Sequence, residues 1–151
     1  MTRIRVTAEV EGLDQFDAAV ARLMDRIDDA GRAIAVESLA VVERRAKGNF
    51  EGSHPRGMPH VGGAKPNIVS GTLRRSIRQT PVRRAGAQAW AGSVGPTTVY
   101  GRRIELGYPG GEGRGRQRTR PFPYLKPAVV ESYDDIRGIG RRHWAAAVLR
   151  T

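Results

Sequence analysis

The chain has 151 residues, 39% of them apolar, with 19 glycines, 9 prolines, no cysteine and a net charge of +11. That length makes one domain (1–151) with a modest core, and the glycine and proline content predicts long irregular segments; disulfides and thiolate metal sites are excluded. No apolar run approaches the ~20 residues of a membrane span, and "MTRIRVTAEVEG" lacks a signal-peptide core, so a soluble protein with no membrane partner is expected.

The charge is uneven. Residues 1–51 carry 8 basic and 10 acidic side chains, whereas residues 52–151 carry 18 and 5. A cation-rich segment attracts polyanions without sequence preference. It equally suits pairing with acidic faces of other subunits, because arginine is favoured at protein interfaces. Composition leaves both open.

In chain order, "TRIRVTAEVEGL" alternates, with Ile4, Val6, Ala8 and Val10 on one face, which predicts a half-buried strand ending at Gly12. Phe16, Val20, Leu23, Ile27, Ala30 and Ile34 then recur at steps of three and four, the stripe of an amphipathic helix over 14–47. Asp14 is placed to cap it and Gly48 to stop it; a shift of the stripe toward Ala35, Leu39, Val42 and Ala46 points to a bend at Gly31. Such a helix, about 50 Å long, exceeds what a small globule needs and is better explained if part of it packs on another chain.

Residues 48–69, rich in glycine and proline, read as a long flexible loop. His54 and His60 lie in it without an accompanying carboxylate or thiol cluster, so they are not expected to ligate a metal. "SGTLRRSIRQ" (70–79) predicts a short helix capped by Ser70, with Leu73 and Ile77 as an apolar pair. Residues 80–96 read as two strands around Ala85-Gly86, with Trp90 and Val94 inward. A short helix is expected over 97–107, with Gly107 at its C-terminal end, followed by a flexible arginine-rich tongue over 108–120. From Lys126 the chain is helical again, with Leu125, Val129, Tyr133, Ile136, Gly140 and Trp144 as its stripe and Pro127 in the first turn. The fold class is α+β: one antiparallel sheet packed by a long N-terminal helix and a C-terminal helix. Val6, Val10, Phe16, Val20, Leu23, Ile27, Leu73, Ile77, Trp90, Val129, Tyr133 and Ile136 are expected in the core or an interface.

No constellation for catalysis or for a cofactor stands out. There is no phosphate-binding "GxxxxGK[ST]", "GGEGRG" does not follow a strand and open a helix, and Ser70 in "VSGT" lacks the glycine spacing of a nucleophile elbow. Asp28-Asp29 and Asp134-Asp135 are adjacent pairs read as solvated faces, and His143 needs no role beyond its helix end. Glu105, close to Arg102 and Arg103, either pairs with Arg102 at i−3 or anchors the tongue or a neighbouring subunit. In extended backbone, Arg114, Arg116, Arg118 and Arg120 fall on one edge, where each guanidinium can dock on a carboxylate or track a phosphate. The aromatic and proline corner that follows, with Phe122 and Tyr124, fixes where the last helix begins.

Three segments in order resemble the gene-product-ten-like head–tail joining (tail completion or tail terminator) proteins of long-tailed phages. They are "KPNIVSGTLRRSI", "VYGRRIELGYPG" and "RPFPYLKPAVVES". Two departures stand out: Gly101 where the family often has alanine, and Pro123-Tyr124, which lengthen the corner. The resemblance implies a structural virion protein with no catalytic activity, assembled in the host cytoplasm and located at the head–tail junction. It would form a ring, expected to be hexameric, between the capsid connector (head–tail stopper) and the tail tube protein, with phage DNA passing through its lumen. Arg102, Arg103, Glu105, the four tongue arginines, Phe122 and Tyr124 would serve docking. The alternative is a basic nucleic-acid-binding module that uses the arginine-rich loop, although no RNP-type strand, zinc-finger spacing or clear helix-turn-helix accompanies it.

Overall fold

The computed structural model describes residues 11–110 and 118–149. The fold is α+β: a long N-terminal helix and a C-terminal helix packed against small antiparallel two-stranded sheets. The expected strand at the N-terminus, with Val6 and Val10, lies outside the described residues. Helix α1 spans Leu13–Gly48, 36 residues and about 54 Å. It is unbroken at Gly31, where a Cβ would stand 3.3 Å from Trp90 Cδ1, so the small residue there serves the approach of an indole rather than a bend. Asp14 does not cap it; Gly12 takes the N-cap position without a side-chain bond, and Asp14 lies in the first turn. At the other end Asn49 is the C-cap, its amide donating to the carbonyls of Arg45 and Ala46.

Helix α2 (Thr72–Ser76) is shorter than the sequence predicts, because Ile77 turns extended and opens a strand. Gly71, not Ser70, is its N-cap. Strand β1 (Ile77–Gln79) pairs with β4 (Val94–Pro96), Ile77 opposite Pro96; β2 (Arg83–Gly86) pairs with β3 (Ala89–Ala91), Arg84 opposite Trp90. The expected single sheet is thus two short ladders of one long hairpin, whose reversal falls at Ala87-Gln88 and not at Ala85-Gly86. The interruption has a chemical cause. Pro81 has no N–H to give the ladder, and Ser93 N donates to the Thr80 hydroxyl (2.9 Å) where a backbone carbonyl would serve, while Thr80 N still donates to Ser93 O (2.8 Å).

Helix α3 covers Gly101–Leu106, α4 Leu125–Glu131 and α5 Tyr133–Leu149. The single C-terminal helix expected from Lys126 is therefore two, divided at Ser132, which is fully buried and whose hydroxyl donates to Ala128 O (2.6 Å).

The core joins Val42 and Ala46 of α1, Ile77, Tyr124 and Ala128, with Phe50, Leu73, Val94, Ile104, Leu125 and Ile136 against them. Of the expected core, Ile77 is buried and Leu23, Ile27, Leu73, Trp90 and Ile136 are half-buried. Phe16, Val20, Val129 and Tyr133 are exposed and lie outside the chain's own core. On the last two helices and at the joint between them the buried residues are Ala128, Ser132, Ile139 and Ala147, of which all but Ile139 are small. Small side chains let these helices approach α1, whose buried residues are Ala30, Val42 and Ala46. The stripe chosen by side-chain size is borne out at Leu125 and Ile136, which pack on the core, and fails at Val129, Tyr133 and Trp144, which are exposed.

Polar bonds tie the outer surfaces. Glu37 on α1 accepts from His143 Nε2 (2.8 Å) and Arg142 (3.4 Å) on α5, and Arg45 pairs with Asp135 (2.6 Å). Asp28 is not a merely solvated face: it accepts from Trp90 Nε1 (3.1 Å) and from Arg84, whose guanidinium lies 4.8 Å from the indole centroid. Among the described residues no helix is long and apolar enough to cross a membrane.

Ile77 has no exposed surface and Val130 is 67% exposed. Ile77→Ala is expected to cost about 2–5 kcal/mol in urea unfolding, and Val130→Ala less than about 0.5 kcal/mol. Equal losses would show that the core is misplaced.

Candidate functional site

The three segments singled out in the sequence meet at one corner. Its centre is Glu105, half-buried on α3. Oε2 accepts from the amides of Tyr124 (2.7 Å) and Leu125 (2.9 Å), and Oε1 from the amide of Lys126 (2.8 Å). These amides begin α4, where an unpartnered donor would otherwise face the helix end. The carboxylate is therefore an N-terminal cap supplied from another helix. Both oxygens are committed to the corner, in place of the expected pairing with Arg102 or with the tongue.

Tyr124 follows from that anchor. It is fully buried, its hydroxyl donates to Gly101 O (3.2 Å), its carbonyl accepts from Asn49 Nδ2 (3.1 Å), and its ring lies 5.4 Å from that of Phe50. Thus the residue that lengthens the corner is the largest fully buried side chain. Gly101 is explained by the same packing. A Cβ there would overlap Pro96 Cγ and stand 2.7 Å from Pro96 Cβ and 3.1 Å from the Tyr124 hydroxyl. Alanine has no room.

The tongue leaves and returns at a closed base. Tyr108 N donates to Thr119 O (2.8 Å) and Thr119 N to Tyr108 O (2.9 Å), while Phe122 N donates to Ile104 O (2.8 Å). Gly107, at φ 73°, makes this return possible, because a Cβ would meet Pro121 N and Thr119 O at 2.8 Å. Arg103 braces the base: Nε donates to Thr119 Oγ1 (3.0 Å) and the guanidinium lies 4.6 Å from the Tyr108 ring centroid. Arg102 and Arg118 are exposed, and Arg114 and Arg116 lie outside the described residues. Arg120 is engaged at the corner, 4.7 Å from the Phe122 ring and donating to Gly63 O (3.3 Å).

Phe122 is also stacked by His60 at 4.0 Å, so the loop after α1 is drawn onto the corner. Asn67 closes that loop, accepting from Val61 N (2.7 Å) and donating to Val61 O (2.7 Å) and to Glu51 O. Glu51 N donates to Pro66 O (3.0 Å) and Ile68 N to Gly52 O (3.0 Å). A segment read from composition as a flexible loop is thus cross-bonded. His60 Nε2 donates to Lys65 O (2.9 Å) and His54 Nδ1 to Pro55 O (2.8 Å). Between loop, α2 and corner lies a cavity of about 190 Å³, lined by Phe50, Ile68, Leu73, Ile104 and Phe122 among others. Beside it, Arg74, Arg75, Arg78 and Lys47 border a second, basic cleft that shares Ile68 and Val69 with the first.

Asn49, Asn67 and the stacking of His60 on Phe122 carry much of this geometry and escaped the sequence reading. Asparagine after a helix ending in glycine is a signal for Asn49; the other two act across chain separations that no local pattern displays. No family model, curated protein or solved structure matches the chain.

Glu105→Ala leaves three amides at the start of α4 without their acceptor and is expected to lower unfolding free energy by about 1–3 kcal/mol. Glu105→Gln keeps one carbonyl acceptor and should lose less. An unchanged midpoint for Glu105→Ala would refute the capping role. Burial, and then the charge of Glu105 and the proximity of Tyr100, raise the Tyr124 phenol well above its ordinary range. The native state therefore holds that proton more tightly than the unfolded chain, so the stabilisation is complete below about pH 10 and is lost as pH rises beyond it. Urea unfolding between pH 8 and pH 11.5, on the order of the phenol's titration range, should show a steeper decline for the wild type than for Tyr124→Phe.

Proposed function

We propose that this chain is a non-catalytic structural protein of the virion of a long-tailed phage, forming a ring at the head–tail junction and joining the capsid connector to the tail tube. The observation that carries the reading is the meeting of the three resembling segments at one corner. Ile77 from the first, Gly101 and Glu105 from the second, and Phe122 and Tyr124 from the third lie far apart in sequence, yet they are bonded or packed together. Their shared packing gives the order of the three segments a physical meaning.

The shape of the chain supports the same reading. A 36-residue helix whose first turns expose Leu13, Phe16 and Val20, and an arginine-rich tongue on a braced base, suit a subunit completed by its neighbours. The tongue docks on a partner protein, the ring is hexameric, and the lumen passes DNA. The second reading, a basic nucleic-acid-binding module that uses the arginine-rich loop, also draws on the cluster Arg74, Arg75 and Arg78, all exposed.

Native mass spectrometry at moderate salt without DNA separates the two. A closed ring is expected; a monomer that changes mass only when DNA is added would favour the second reading instead. Replacing Arg114, Arg116, Arg118 and Arg120 together by glutamine should leave folding and ring mass intact while capsids and tails fail to join. Normal joining would show that the tongue charges only solubilise a loop.

A further inference from the structure

The N-terminal end of α1 is a helix without a bed. Every residue from Glu11 to Arg22 is exposed, including Leu13 at 55%, Phe16 at 65% and Val20 at 40%. Yet these are positions of a regular stripe, Leu13, Phe16, Val20, Leu23, Ile27, Ala30 and Ile34, spaced alternately by three and four residues. Farther along the helix, two elements flank that stripe. His143, Ala146 and Ala147 of α5 lie beside Arg26, Ala30 and Ala33, and the hairpin sets Gln88 on Met24 and Arg84 and Trp90 on Asp28. Toward Leu13 the stripe continues beyond both. It is bordered by Asp17, and Asp14 and Asp25 lie farther round the same helix; none of the three makes an ion pair among the described residues.

The opposite end of the molecule has the complementary character. The apolar cavity against Leu73, Ile104 and Phe122 opens beside the basic cleft of Arg74, Arg75 and Arg78. Its roughly 190 Å³ is below the ~300–1,000 Å³ of small-molecule sites and suits a large apolar side chain. Arg75 and Arg78 make no ion pair among the described residues. The arm cannot reach its own cleft. Phe16 and Lys47 are separated along one helix by about 46 Å, and Lys47 borders the cleft.

We infer that the projecting end of α1 docks into this cleft on a second copy of the chain, with Phe16 entering the apolar cavity and Asp17 facing Arg75 and Arg78. The inference rests on the ring reading and deepens it. A contact between two different patches of the same chain is head-to-tail, the type that generates a ring when its rotation closes. It also gives the basic cleft a partner of opposite charge, since Asp17 on the projecting end of α1 and the arginines of the cleft attract across the interface.

Cross-linking is clean here because the chain has no cysteine. In a Val20→Cys, Val69→Cys double variant, mild oxidation should give a covalent ladder ending at the ring's subunit number. An equal mixture of the two single variants should give predominantly single cross-links between copies. Phe16→Asp should weaken association about 30-fold or more, as loss of a buried aromatic anchor does, while the monomer's melting temperature stays unchanged because Phe16 is exposed within its own chain. Asp17→Arg should also weaken assembly, and Arg75→Asp should restore it. If the wild type forms rings, but neither Phe16→Asp nor Asp17→Arg alters them and no ladder appears, the docking is wrong and the ring reading stands. A fall in the Phe16→Asp monomer's melting temperature with assembly unchanged would show that the chain's own N-terminal segment covers the stripe, and would overturn the inference. A wild type that remains monomeric at high concentration overturns both.

Discussion

One carboxylate sets the geometry of the described core. Glu105 gathers the amides of Tyr124, Leu125 and Lys126, joining two segments separated by the whole tongue. The bonds are charge-assisted, and their acceptor is half-buried, so they are stronger than neutral bonds at a solvated surface. Once these amides are held, Tyr124 has one place to go, between Phe50, Gly101 and Asn49. Its burial fixes the start of α4 and brings Ala128 against α1. The same corner closes the base of the tongue, where Tyr108 and Thr119 exchange backbone bonds.

The chain is organised unevenly along its longest element. At its C-terminal end α1 carries Val42 and Ala46 in the core cluster, and in its middle it is clasped by α5 and the hairpin through Glu37, Asp28 and Trp90. At its N-terminal end it is bare. Under the proposed assembly, the monomer's stability rests on one end of α1 and the contact between copies on the other.

Much of the element order was legible. The boundaries of α1 follow from its periodicity, and the helix before Gly107 from its apolar spacing. What failed has identifiable causes. Periodicity in large side chains directs attention to Val129 and Tyr133, whereas close helix approach selects Ala128 and Ser132. Composition marks residues 48–69 as loose, but Asn67 supplies the hydrogen bonds that repeated structure would otherwise provide. Glu105 was singled out as a carboxylate among cations in an apolar segment, but among the described residues it bonds neither Arg102 nor the tongue and takes the amides of Tyr124, Leu125 and Lys126 instead. Its partners were invisible because backbone amides leave no mark in a sequence. Gly101 shows the converse. The departure from the resembling pattern is visible in the sequence, and only the position of Pro96 gives it a cause.

Glu105 and Tyr124 form a corner as rigid as the core it organises. Native-state hydrogen exchange at single-residue resolution tests that rigidity most directly. The amides of Tyr124, Leu125 and Lys126 should exchange as slowly as those around Val42 and Ala46 in α1, opening only with global unfolding. If these three amides exchange at the rate of exposed loop positions while α1 remains protected, the corner opens independently and does not organise the fold.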